Sequence, residues 1–327
     1  MLFRVVLFFC SFPFLLLGQQ NYFRAFERMG SSFEITLVAE DSFQAEQWID
    51  MGIREITRIE QLISSWDPTS QTSRINQNAG IRPVKVDAEL LQLIVRSLLI
   101  SKQTSGAFDI SYAAVDKVWK FDGRTMAWPP KEILEEATEN VGYQNVAVDV
   151  TASTVYLKKK GMKIGFGAIG KGYAADRVKA LLQGAGVAAG LINASGDMQA
   201  WGTQANGQAW SVGIINPLNK QKVFSWFDLQ DRAVVTSGDY ERFVILDGER
   251  HGHIVDPRTA KPAKGIISAT VFAPKAELAD ALATSIYVLG KENGIFLIDQ
   301  LPEVEALMID DQGEMITSKN LTFDTYE

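Results

Sequence analysis

Apolar residues recur along this chain with two different periods, and the change from one to the other marks out its elements. The stretch "SSFEITLVAE" (31–40) alternates as a half-buried strand does, whereas Ile49, Ile53, Ile56, Ile59 and Ile63 recur at helical spacing over 43–64. A run rich in turn formers, "SWDPTSQTSRINQNAG" (65–80), reads as a polar loop. Asp87 then stands where a cap is wanted for a helix over "AELLQLIVRSLLISKQ". "GAFDISYAAVDKVWKF" (106–121) reads as a loop entering a further helix, and "PPKEILEEATENVG" (129–142) as a short one. From about residue 145 the pattern turns to short strands, interrupted by helices at 171–184 and 275–289 and closing with strands around 304–318. No internal repeat, low-complexity tract or long linker divides the chain. The expectation is one continuous α+β unit with its helices concentrated towards the N-terminal half.

Composition narrows the classes of function. At 327 residues and 46% apolar, the chain has ample material for a core. Its 32 basic and 39 acidic residues give a net charge of −7, which offers a nucleic-acid backbone no electrostatic support. The opening "MLFRVVLFFCSFPFLLLGQQ" places Arg4 before an apolar run that reaches Leu17, the pattern of a secretory signal over residues 1–19. The expectation is therefore an exported, periplasmic protein whose working domain spans 20–327. An uncleaved membrane anchor, or lipidation of Cys10, would instead tether it. Cys10 is the sole cysteine, but Phe9 precedes it where lipidation wants a small residue. Cleavage near Gln19 would leave a mature chain with no disulfide or thiolate chemistry.

Nine glycines fall between 161 and 196, centred on "GFGAIGKGYAAD" (165–176). Gly165, Gly167 and Gly170 fit the G-x-G-x-x-G spacing of a dinucleotide turn, and the letters nearly spell a P-loop. Context opposes both. The preceding "VYLKKKGMKI" is too charged for a strand covered on both faces, and Gly172 follows Lys171 where a P-loop needs Ser or Thr. What remains is either a tight turn with a solvent-facing lysine or a diphosphate cradle. In the second case backbone amides, a helix N-terminus and Lys171 would face negative charge. "NASGD" (193–197) offers a second glycine loop for the same cleft.

Two further features carry candidate chemistry. In "ELADALATSIYVLG" (277–290), Asp280 and Thr284 stand four apart in an apolar helix and so share a face. That pair would suit a hard cation such as magnesium, although a solvated edge aspartate and a packing threonine are the commoner reading of the spacing alone. "GERHGHIVDPRTAKP" (248–262) holds both histidines of the chain, His251 and His253. As a strand over 250–255 it would turn both imidazoles to one side, yet no third histidine exists to complete a typical catalytic zinc site. One histidine at work as a general base and one incidental is the preferred reading.

Taken in order, "MGSSFEITL", "SSWDPTSQTSRIN", "GAFDIS", "GAIGKGYAAD", "NASGD", "TSGDYERF", "HIVDPRT" and "ADALATS" resemble the ApbE-type FAD:protein FMN transferases, from about residue 28 to the end. The resemblance implies a single large ApbE-like domain, an α+β fold of mixed sheets with packed helices, related to the T-fold. It implies an exported or membrane-tethered enzyme that takes FAD and Mg²⁺, places FMN on a Ser or Thr of an exported acceptor protein and releases AMP. By the same resemblance the expected acceptors are exported subunits of redox pumps, electron-transport complexes or extracellular reductases. Within the resemblance the alternatives are a Mg²⁺-dependent hydrolase that splits FAD to FMN and AMP, as some members mainly do, and a non-catalytic flavin-binding protein, against which Asp280 argues. Carried over by position, Met29, Trp66, Ala107, Phe108, Asp109, Gly165, Lys171 and His253 would line the FAD site. Asp280, Thr284 and the carbonyl of Ala168 would hold the metal, and His253 and Lys171 would serve the chemistry. Many relatives carry Asp where this chain has Gly165, so any contact there must come from backbone.

Overall fold

The computed structural model describes residues 18–115, 117–215, 223–238 and 242–322. The apolar leader through Leu17, Cys10 included, lies outside them. Strands β1 (Gln20–Arg28) and β2 (Ser31–Ala39) form a hairpin closed by Met29 and Gly30, both in the left-handed region at φ 54° and 67°. Helix α1 (Ser42–Ile63) follows, capped by Asp41, whose carboxylate accepts the Gln44 amide at 2.8 Å. Ile49, Ile56, Ile59 and Ile63 are its buried stripe. Then come α2 (Gln71–Gln77), β3 (Val84–Lys85), α3 (Ala88–Gln103), α4 (Lys131–Glu139), β4 (Val146–Asp149), β5 (Thr154–Leu157) and α5 (Gly170–Gly184). The second half runs β6 (Gly190–Ala194), β7 (Asp197–Trp201), β8 (Trp210–Ile215), β9 (Val223–Leu229), β10 (Ala233–Gly238), β11 (Phe243–Leu246) and β12 (Glu249–Gly252). It ends with β13 (Val255–Asp256), β14 (Lys261–Pro262), β15 (Ile266–Ala273), α6 (Ala276–Ile298), β16 (Glu305–Asp310) and β17 (Met315–Thr317).

An eight-stranded sheet in the order β1-β2-β6-β7-β10-β15-β16-β17 organises these elements, with antiparallel neighbours throughout. Successive residues of its strands serve opposite faces. Val235, Val271 and Met308 join the main core beneath α1, α5 and α6, while Val234, Phe272 and Leu307 join a second core under the β8–β9 hairpin. The molecule is thus layered as helices, sheet and hairpin, an α+β arrangement. The antiparallel neighbours also dispose of a Rossmann turn at Gly165, because α5 is not the crossover of a parallel βαβ unit. A third, smaller core gathers Trp119, Leu134, Val244 and Leu246 around α4 and the β11–β12 hairpin.

Four local expectations change. The polar run 65–80 contains α2, started by Ser70, whose hydroxyl accepts the Ser73 amide at 2.9 Å. Among its described residues, the segment 106–121 holds a 3₁₀ turn over Ile110–Val115 and no α-helix. There the Asp109 carboxylate accepts the Ser111 amide, the Ser111 hydroxyl and the Tyr143 amide, local bonds that compete with a helix. Asp87 occupies the N-cap position of α3, but its carboxylate bonds Gln71 rather than a helix amide. The run 250–255 is not one strand: β12 stops at Gly252, His251 is buried and His253 is exposed.

Candidate functional site

Where α5, α6 and the end of β7 meet, the glycines allow backbone to approach backbone. At Gly172 a Cβ would drive into the carbonyl of Ala276 and come within 2.9 Å of the Asp280 Cβ. Only glycine lets α5 lie this close to α6. That contact lets the Gly172 amide donate to Asp280 Oδ2 at 3.1 Å. One residue earlier, Lys171 Nζ stands 2.5 Å from Asp197 Oδ2, with Asp197 at the start of β7. Lys171 is therefore not the solvent-facing lysine of a plain turn.

Burial dominates the electrostatics of this corner. Asp197 and Asp280 are 2% and 4% exposed, and one ammonium, Lys171, serves both. Burial pushes the Asp280 carboxyl up to about 7; the charge of Asp197 adds to the shift, while Lys171 and the Gly172 amide oppose it. Asp197 and Asp280 are buried close enough to oppose each other's ionisation, and a positive charge placed between them would lower that cost. Thr284, one turn beyond Asp280, faces β10, with its hydroxyl 3.2 Å from that of Ser237. Among the described residues no cluster of three or more His, Cys, Asp and Glu side chains gathers. The oxygens of Asp280 and Thr284 nonetheless fit magnesium, which binds through few carboxylates and keeps water or phosphate oxygens in its shell.

Other expected residues surround the glycine turn. A Cβ on Gly170 would lie 3.6 Å from Met29 Cε, and one on Gly165 would lie 3.5 Å from Ser65 Oγ, beside Trp66. Trp66 is 81% exposed, an aromatic face open to a ligand. Ala168 lies in the turn just ahead of α5. Gly165 donates its amide to the Ile110 carbonyl at 2.8 Å, which ties the turn to the 106–121 segment. Ala107, Phe108 and Asp109 are 1%, 2% and 4% exposed, so they shape that segment from within. Burial raises the Asp109 carboxyl despite its three hydrogen bonds.

The far end of the same segment reaches the histidines. Phe121 meets the exposed His253 edge-on at 6.4 Å between ring centroids, and Trp119 Nε1 donates to the Ala260 carbonyl at 2.7 Å. His251 instead packs edge-on against Trp128 at 5.4 Å, and burial lowers its pKa. The segment 106–121 thus links the glycine turn to the His253 corner.

Sequence reasoning missed three residues here. Ser237 lies within the quoted "TSGDYERF" but carried no role. Tyr112, which crowds Gly167, lies in the stretch expected as a loop entering a helix and carried no role. Asp176 closes "GKGYAAD", and its carboxylate accepts the first two amides of α6, at 2.9 and 3.0 Å. The string was the available signal; its partner lies 100 residues further on.

The fold and the site together are those of an antiparallel α+β domain whose glycine turn lies against a helix carrying a buried carboxylate, Asp280, and a part-buried hydroxyl, Thr284. A model of the ApbE family matches residues 29–308, and the chain belongs to that family. It is 35% identical over 265 residues to the FAD:protein FMN transferase of Treponema pallidum, covering 76% of this chain and 73% of that one. With one FAD:protein FMN transferase of Klebsiella pneumoniae the identity is 30% over 292 residues, 89% of each chain. The crystal structure of the ApbE protein of Thermotoga maritima superposes with a TM-score of 0.84 at 31% identity, over 92% of this chain and 97% of that one.

Proposed function

We propose that this protein transfers FMN from FAD to a Ser or Thr hydroxyl of a separate, exported acceptor protein and releases AMP, with Mg²⁺ required. The observation that carries the reading is Asp280: a carboxylate 4% exposed, touching the glycine turn through the Gly172 amide, with Thr284 one helical turn further on. The relatives' name supports FAD as donor and a protein as acceptor. The apolar leader supports export, to the periplasm and with or without a membrane tether.

In the proposed reaction the acceptor hydroxyl attacks the FMN-side phosphorus in line with the bond to AMP. A new ester P–O bond forms, the diphosphate P–O bond breaks, and its electron pair leaves on the AMP phosphate. Asp280, Thr284 and the Ala168 carbonyl would hold the magnesium ion, which when bound supplies positive charge to the diphosphate oxygens. Lys171 and the amides around 165–172 add fixed positive potential at the same place. His253, exposed where an acceptor can reach it, takes the hydroxyl proton. Met29 and Trp66 frame the flavin nucleotide, and Ala107, Phe108, Asp109 and Gly165 shape the wall behind it.

Incubation with FAD, Mg²⁺ and an acceptor protein tests this, with in-gel flavin fluorescence and AMP as readouts. Fluorescent acceptor and AMP in equal amounts, both abolished by EDTA, are expected. AMP without labelled acceptor would make the protein a hydrolase, and absence of both would end the reading.

A further inference from the structure

Helix α6 has no cap of its own. Its N-cap residue is Lys275, whose side chain makes no capping bond, so its first amides look elsewhere for acceptors. They find them in Asp176: Oδ1 accepts the Ala276 amide at 2.9 Å and Oδ2 accepts the Glu277 amide at 3.0 Å. Gln199 Oε1 also accepts from Ala276, at 3.1 Å. On the outer side, Arg96 holds the Glu277 carboxylate in a two-pronged pair at 2.5 and 2.9 Å.

These contacts form a pattern with the site. Asp176 and Gly172 are four apart on α5 and share one face of it. That face holds α6 at two points, with Asp176 on the amides of residues 276 and 277 and the Gly172 amide on Asp280 Oδ2. On β7, Gln199 and Asp197 are two apart and also share a face; one reaches the start of α6 and the other reaches Lys171. Ala276, Asp280 and Thr284 follow one another at single-turn spacing along α6. A slip at the helix start would therefore carry both oxygen donors away from the glycine turn.

We infer that Asp176 is a positioning residue for the metal site: by capping α6 from across the helix pair, it sets where Asp280 and Thr284 stand relative to the 165–172 turn. The inference rests on the proposed function, because it concerns the same pair of donors. Supporting groups that fix the orientation of ligands typically change metal affinity about 10–100-fold when removed.

The test uses the full chain with Asp176→Ala and Asp176→Asn. Mn²⁺ binding is followed by the loss of the free-ion paramagnetic resonance signal, at a temperature well below each variant's unfolding midpoint. Wild type should bind Mn²⁺. Asp176→Ala should bind about tenfold or more weakly, and Asp176→Asn, which keeps one acceptor oxygen, should fall between them. The Mg²⁺ concentration for half-maximal AMP release should rise in the same order, with the rate recovered at saturating Mg²⁺. Folded variants that bind Mn²⁺ as wild type does, however lowered their midpoints, would overturn the inference and leave the transferase reading standing. If Asp176→Ala does not fold, the near-isosteric Asn variant decides on the same criterion. A wild type that binds no Mn²⁺ and releases no AMP would overturn the reading beneath, and this inference with it.

Discussion

Asp280 and His253, the two side chains between which the proposed transfer would run, sit in opposite kinds of surroundings. Asp280 belongs to the part of α6 that precedes its break at Gly290, against the central sheet, with a backbone partner from α5 and charged neighbours from α5 and β7. His253 stands exposed just past the end of a four-residue strand, against Phe121, in a region served by the smallest of the three cores. Each environment matches one half of the chemistry. Charge stabilisation gains most from groups fixed in advance away from water. A base for an incoming protein hydroxyl must instead be reachable from outside.

The largest effect should come from the buried half. Asp280→Ala removes the one carboxylate in the proposed donor set and should lower AMP release on the order of 10³-fold. The folded state should be no less stable, because an uncompensated buried charge goes with it. Thermal unfolding read beside AMP production would separate the two; a rate within tenfold of wild type would remove Asp280 from the mechanism. At the exposed half, His253→Ala should slow acceptor labelling roughly 10²-fold at saturating acceptor, with the KM for FAD little changed. A matching loss with His251→Ala would contradict the division between a working and a packed imidazole.

This contrast also explains what the sequence could reveal. Helices α1, α3, α5 and α6 were legible because their apolar stripes face a large core, and a stripe is a local signal. Strand β1 was missed because it is a sheet edge with no fully buried residue, so its alternation is weak. The Asp280–Thr284 pair could be found from helical spacing, but its burial could not, since that depends on α5 and β7 arriving from elsewhere. Asp176 and Ser237 stayed hidden for the same reason: their partners are distant in the chain. At the histidines, parity arguments failed because β12 ends one residue too early to carry the alternation to His253.

A smaller effect probes how tightly the buried corner is built. Gly172→Ala puts a methyl group against the Ala276 carbonyl, and backbone cannot step aside as a side chain can. Destabilisation of about 1–3 kcal/mol is expected, with metal affinity falling too. Gly184→Ala, at the other end of α5 and facing open space, is the control. It should leave stability unchanged or raise it by about 0.5–1 kcal/mol, through the better helix propensity of alanine. Equal behaviour of the two variants would mean that the α5–α6 approach is looser than it stands here.

The last effect concerns pH and separates the metal-free protein from the loaded one. Burial raises Asp280 to about 7 and Asp176 to about 6, both from an ordinary 3.8. Between the unfolded and folded pKa values the unfolded chain has already lost protons that the native state keeps. The contribution of these two groups to the stability of the metal-free protein should therefore fall as pH rises from about 4 to about 7, against the opposite contribution of His251, whose pKa burial lowers. Metal binding needs Asp280 ionised, so Mg²⁺ must displace its proton below that pKa. Affinity should then drop by up to about tenfold for each pH unit lowered. The two slopes have opposite signs: without Mg²⁺ the share of the unfolding midpoint that Asp280 contributes, read as wild type against Asp280→Asn, declines towards neutral pH, while the increment that saturating Mg²⁺ adds grows over the same range. Parallel melts from pH 5 to 8 with and without Mg²⁺ read both. An Mg²⁺ increment that does not change with pH would mean that the ion is not seated on Asp280, and Asp280→Asn should abolish the increment at every pH.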